Sequence, residues 1–295
     1  MKIDFAYNQF HMRILLLCTI FLISPFLAFS GNNPYYPMLR PHWEKVETID
    51  SAFVRVLYNM YFPSAEHPDS VYVDLRTVEI GKRLTKDYSH LMEDWENEAR
   101  SLVDKGRLFS GSGDRPVYPM ETFLKKDGKT MQIFKTDYPG PILKWETPST
   151  DISWRLIPET DSICGYPCQK AVCEFSGRKY TAWFTFEIPV DGGPYRFRGL
   201  PGLILKIEDA TGTYRWEAAG IETGKWPIYL KHYLFQKCSR QNARKTLEMM
   251  FVHPNAWSRS LGVEIFYVDP ETRKRREPTE EELNKTYHYD PIELE

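Results

Sequence analysis

After residue 30 the chain has no apolar run approaching the ~18 uninterrupted residues that a membrane-spanning helix needs, so an integral helical membrane protein is not expected. It lacks an excess of either charge: 38 Lys and Arg stand against 40 Asp and Glu. Such a balance exerts no long-range pull on nucleic acid or anionic lipid, and neither is expected as a partner. The basic run RKRR at Arg273 to Arg276 is followed at once by acidic residues and reads as a solvated turn. Familiar catalytic signatures are missing too. No G-x-S-x-G elbow is present, nor a P-loop, a dinucleotide fingerprint or a C-x-x-C-H haem site. His42, His67, His90, His232, His253 and His288 lie far apart, without the one-turn spacing of an H-E-x-x-H zinc site. No catalytic residue, metal ligand or cofactor is therefore assigned.

What is present begins with an export signal. Met12 to Ser30 combines a basic start at Arg13, an apolar run broken by Pro25, and small residues at Ala28 and Ser30. This pattern predicts a signal peptide over 1–30, cleaved near Ser30, and a single β-rich domain over 31–295 in the periplasm or at the outer membrane. Leu17, where a lipoprotein signal has a small residue, argues against lipid on Cys18. Removing Lys2, Asp4 and Arg13 leaves 36 basic and 39 acidic residues, a net charge of −3.

Cys164, Cys168, Cys173 and Cys238 remain after the signal. In an oxidising compartment disulfides outweigh free thiols or a metal site. A Cys168–Cys173 bond is disfavoured, because five residues of strand span about 16 Å. A Cys164–Cys168 bond is feasible if Gly165 and Pro167 turn the chain, leaving Cys173 for Cys238.

Aromatic residues make up 15% of the chain, which favours sheets. Alternation predicts strands over 53–61 and 70–79, and short strands at TMQIFKT, ILKWE, ISWRLI and KAVCEF. In KYTAWFTFEI, Tyr180, Ala182, Phe184, Phe186 and Ile188 share one strand face. SGR at Ser176 to Arg178 and ATG at Ala210 to Gly212 mark hairpins. A helix is expected from Asp87 or Ser89, with Leu91, Trp95, Ala99 and Leu102 on its apolar face and a stop at Gly106. Another starts near Ser239 and breaks at Pro254, and a third starts at Thr279 with a capping box to Glu282. Trp145, Trp154, Trp183, Trp216 and Trp226 read as core before they read as sugar-stacking platforms.

The stretch FRGLPGLILKIED, Phe197 to Asp209, holds two glycines and a proline within four residues. Leu200-Pro201-Gly202-Leu203 fits a type II turn, with Gly202 at positive φ and both leucines aimed into the core. Gly199 permits a second unusual angle or a close approach. Gly199, Leu200, Pro201, Gly202, Leu203 and Ile204 thus read as a structural corner feeding a buried strand.

With ICGYPCQKA, VEIGKRLTKDYS, GRKYTAWFTFEIPVDGGPYRFRGLPGLILKIED and the final YDPIELE, this motif resembles the GLPGLI family of exported Gram-negative proteins. The extra Cys164 and Cys173 depart from its pattern. The family is named for its motif rather than for an activity, so the resemblance carries no catalytic residues. Some members are encoded beside energy-coupled outer-membrane receptors, which implies envelope or uptake work. The expected fold is α+β and β-dominated: a large curved antiparallel sheet, in the limit a half-barrel, with a few packed helices. The expected role is binding or accessory work for an apolar small molecule or an outer-membrane receptor. The rivals are a hydrolase built from dispersed His and carboxylates, and a pocketless protein-interaction module.

Overall fold

The computed structural model describes residues 34–64, 70–109, 111–269 and 271–295; the expected signal sequence lies outside them. The elements run β1 (Lys45–Pro63), β2 (Val71–Gly81), β3 (Leu84–Ser89), α1 (His90–Asp104), β4 (Met120–Lys125), β5 (Lys129–Lys135) and β6 (Ile142–Pro148). There follow β7 (Arg155–Ile163), β8 (Tyr166–Phe175), β9 (Arg178–Thr185), β10 (Leu203–Asp209), β11 (Arg215–His232) and β12 (Phe235–Lys237). The chain continues through α2 (Arg240–Val252), α3 (Pro254–Ser260), β13 (Tyr267–Val268), β14 (Arg275–Arg276) and α4 (Glu280–Leu283). Strands β1 to β12 form one open sheet, in the order β12-β6-β5-β4-β3-β2-β1-β11-β10-β9-β8-β7. Pairing is antiparallel except for β12 on β6. The β-dominated architecture is the one that composition and alternation predict.

Period-two patterning decides which face is core. Along β1, Val54, Val56, Tyr58, Met60 and Phe62 are all buried, with partly exposed residues between them. They join Val78, Ile80, Phe184, Leu203 and Trp216 in the larger apolar cluster. Phe134 and Leu143 belong to that cluster, whereas Ile133 and Ile142 belong to a second one with Phe123 and Met131. Alternation therefore puts the two clusters on opposite faces of the sheet. Helix α1 covers the outer face where β2 and β3 meet, its His90 Nδ1 lying 3.0 Å from the Thr77 hydroxyl.

Both edges are blunted. Strand β7 carries Pro158 and a register shift between Ile157 and Thr160, and β12 is three residues long. Such devices disfavour pairing with another chain.

Turn and cap chemistry follows the sequence closely. Ser176 and Gly177 close the β8–β9 hairpin with φ of 48° and 78°, and Gly212 turns β10 into β11 with φ of 72°. Ser89 caps α1, Ser239 caps α2, and Thr279 with Glu282 forms the capping box of α4. Two expectations change. Strand β9 ends at Thr185, so Phe186 is 54% exposed and Ile188 sits in a loop. Of the expected face Leu91, Trp95, Ala99 and Leu102, only Ala99 is fully buried; it shares the buried stripe of α1 with Met92 and Glu96. The helix is rotated because Glu96 meets buried lysines beneath it.

Candidate functional site at the sheet corner

The loop from Phe186 to Gly202 leaves β9, packs against the inner face and returns as β10. Leu203 N–H donates to Ile188 O and Ile204 N–H to Gly192 O, each at 3.0 Å. The Tyr58 hydroxyl donates to Ile204 O at 2.6 Å, tying the start of β10 to β1. Leu200, Leu203 and Ile204 are buried, while Gly199 and Pro201 face solvent. The Trp154 indole N–H donates to Arg198 O at 2.8 Å, and Asp191 accepts from Gly199 N–H.

Gly199 takes the unusual backbone angle expected of it, whereas the reason expected for Gly202 is corrected. Gly199, not Gly202, holds positive φ, at 95°. Gly202 is needed because a Cβ there would lie 2.0 Å from Thr185 O. The 199–204 motif is a corner, and its second glycine is a close-approach residue rather than the third position of a type II turn.

Charged groups buried around this corner were missed by the hydrophobic pattern. Arg76, 3% exposed, donates Nε to Asp87 at 2.8 Å, and its NH groups to Asp74, Tyr118 O and Met120 O. The second Asp87 oxygen accepts from Tyr195 N–H in the corner loop. Burial pushes Asp74 up to about 6, against the opposing pull of Arg76 and the donors Ser89 and Tyr118 N–H. Tyr195 holds φ of 56°, stacks on Trp216 at 6.2 Å, and donates its hydroxyl to Glu293 at 2.6 Å. Glu293 also pairs with Arg196 and Arg240, and Asp290 with Arg178. Three separate stretches, 74–89, 178–204 and 287–295, therefore meet here.

A second buried set runs Lys86–Glu121–Lys135–Glu96–Lys231–Glu93, with consecutive contacts of 3.6, 3.0, 2.7, 3.9 and 2.9 Å. Three cations against three anions leave it neutral, and it fastens α1 to β3, β4, β5 and β11. Burial opposes ionisation of Glu121, but Lys135 and Lys86 outweigh it and hold the carboxyl down at about 2. Because that value lies below the ordinary 4.5, the associated stability is complete above about pH 4.5 and is lost as pH falls through about 2. The Glu121→Gln variant is expected to be less stable at neutral pH and to show a shallower loss across that acid window in urea melts. An unchanged acid profile would remove Glu121 from this account.

Among the described residues, the Asp74–Arg76–Asp87 group is sealed: all three side chains are buried. The cleft between Tyr88, Glu93, Glu121 and Lys135 has a volume of about 10 Å³ for water centres, room for about one water. A shallow groove of about 470 Å³ lies on α2 along Arg240, Arg244 and Lys245. The inner face of the sheet is covered by rings in succession. Tyr35 touches Phe62 at 4.7 Å, Phe62 touches Tyr118 at 5.6 Å, and Tyr118 touches Tyr214 at 6.4 Å. Tyr214 stacks on Trp216 at 6.2 Å, Trp216 meets Phe197 at 5.7 Å, and Phe197 meets Tyr180 at 4.7 Å. Trp145 and Trp216 are core; Trp154, Trp183 and Trp226 are half-buried.

His67 lies outside the described residues, and among those described the histidines do not converge. His232 pairs with Glu47 at 2.7 Å and His90 with Asp94 at 3.4 Å, both at the surface. Thr77, His90 and Asp94 form a hydroxyl–imidazole–carboxylate line, but Thr77 is 1% exposed and offers no approach to a reactant. Among the described residues no three His, Cys, Asp or Glu gather as a metal site.

The cysteines differ from the paired arrangement expected of an exported chain: Cys164, Cys168, Cys173 and Cys238 are all free thiols. Cys164 and Gly165, with φ of 51° and 80°, are the two turn residues of the β7–β8 hairpin, while Pro167 continues in β8. Cys168 then lies two strand residues past the closing pair, roughly 7 Å along the strand from it, which separates it from Cys164 beyond bridging distance. The Cys164 thiol donates to Ala218 O at 3.0 Å, and Cys238 lies 4.0 Å from Lys144 O. Burial raises the thiols of Cys168 and Cys173 to about 11 and about 12. The native protein is expected to expose one fast thiol, Cys164, and to titrate four after unfolding without reductant. Two or none after unfolding would restore the disulfides.

Residues 174–206, from the end of β8 through the corner into β10, match a family described as a protein of unknown function (Porph_ging). No curated protein matches the chain. Two solved structures of PNGF-II, in space groups P21 and C2, are similar at a TM-score of 0.45, with 16% and 15% identity. Each alignment covers 66% of this chain and 32% of the PNGF-II chain. The similarity thus spans about a third of those proteins, and at that score it bears no weight on activity.

Proposed function

We propose that the chain is an exported, GLPGLI-type envelope protein that acts by surface contact with a protein partner. An energy-coupled outer-membrane receptor is the partner class that the resemblance implies. The observation that supports surface contact over carriage of an apolar molecule is the ring-filled interior, running from Tyr35 to Tyr180. A carrier needs a cavity of a few hundred Å³ lined by apolar groups. The blunted edges, β7 and β12, favour docking on a sheet or helix face over strand addition. On the outer face, Val71 and Val73 of β2 are 57% and 42% exposed. The experiment is chemical cross-linking in the native envelope followed by affinity purification and mass spectrometry. A reproducible protein adduct, weakened when Val73 is replaced by Asp, is the expected result. Recovery of the chain with a stoichiometric apolar small molecule and no protein adduct would contradict the proposal.

A further inference from the structure

Residues 287–295 run from α2 to the β8–β9 turn and are gripped by arginines from three parts of the body. Arg178 on β9 pairs with Asp290 and donates to Pro291 O at 2.6 Å. Arg196 in the corner loop and Arg240 on α2 both pair with Glu293, and Arg244 donates to Leu294 O at 3.0 Å. Leu294 N–H closes on Ser176 O at 2.9 Å, and Tyr289 stacks on Phe251 at 4.5 Å. The floor of the groove is shaped for this segment, since a Cβ on Gly177 would lie 2.9 Å from Leu294 Cβ. Arg196 takes its carboxylate from the segment, although its side chain is 4% exposed.

The connection between segment and body is built differently. Strands β13 and β14 pair with each other in a separate two-stranded sheet, and the intervening residues are largely exposed. From residue 263 to 286, roughly 24 residues could reach about 80 Å when extended. Asn255 on α3 donates to Glu282 O in α4 at 2.7 Å; with that bond and the β13–β14 pair opened, the tether is long enough to carry the segment to a second body.

We propose that residues 287–295 are an exchangeable strap, and that the groove accepts the same segment from a second copy of this chain, joining two chains by strap exchange. Every contact above is remade in the exchanged pair, so the choice between closed monomer and dimer rests on tether and concentration. The recognised chemistry is an acidic pair at 290 and 293 flanking Pro291 and Ile292. This goes beyond the receptor-binding reading and stands or falls separately from it.

The test refolds the full-length protein at rising concentration and measures mass by light scattering, with the native fold checked by near-ultraviolet circular dichroism. Expected is a dimer fraction that grows with refolding concentration. A synthetic peptide spanning Tyr287 to Glu295 in excess should suppress it, and the same peptide with Glu293→Gln should be about tenfold less potent, a difference of about 1.4 kcal/mol. Deleting residues 264–277 should shift the natively folded protein toward dimer. Monomer at every concentration, with or without the deletion, or a dimer indifferent to the peptide, would overturn the proposal.

Discussion

Replacing Gly202 with alanine is expected to be among the most destabilising single substitutions in this protein, by about 3 kcal/mol or more. The added Cβ would meet Thr185 O at 2.0 Å and Thr185 C at 2.8 Å, both backbone atoms at the end of β9. A flexible side chain could move aside; this strand end is held by the ladder that joins β9 to β10. Gly212→Ala is the control. Its φ is 72°, but a Cβ there meets nothing within 4 Å, so the cost is the backbone angle alone, about 1 kcal/mol. If both variants melt together, the corner is not a close-packed junction and Gly202 is present for another reason.

Arg76→Met should cost about 3–5 kcal/mol, because it leaves Asp74 and Asp87 buried without their cation and strips partners from Tyr118 O and Met120 O. The loss should depend on pH. Asp74 already sits at about 6 with the guanidinium present, so without it the carboxyl takes up a proton more readily, and the variant should recover part of its stability as pH falls toward 5. Arg76→Met combined with Asp87→Asn should be less damaged than the single variant at neutral pH, since one uncompensated anion is gone. Chemical denaturation at pH 5 and pH 7.5 reads both effects. A loss below about 1 kcal/mol at both pH values would mean that the site is hydrated rather than sealed.

The large antiparallel sheet and most turns were legible in the sequence because their causes are local. Alternating residues of β1, the Ser176-Gly177 turn and the Thr279–Glu282 capping box are each set by neighbours within a few positions. What was not legible depends on distant partners. Glu96 looks like a solvent-facing residue until Lys135 and Tyr233 are placed beneath it at 2.7 Å each. Pro201-Gly202 carries a strong local turn signal, yet the glycine answers to Thr185, seventeen positions earlier in the sequence. The final YDPIELE stood out only by resemblance; its role as a strap follows from arginines at 178, 196, 240 and 244, none of which is near it in sequence.

Native mass spectrometry of the protein isolated gently from the cells that make it tests the filled interior most directly. Expected is the mass of the polypeptide, alone or as a complex with other polypeptide chains, and no bound apolar molecule surviving at one per chain. A discrete adduct of lipid size, present on most molecules and lost on unfolding, would contradict it, because the space between Tyr35 and Tyr180 would then have to open.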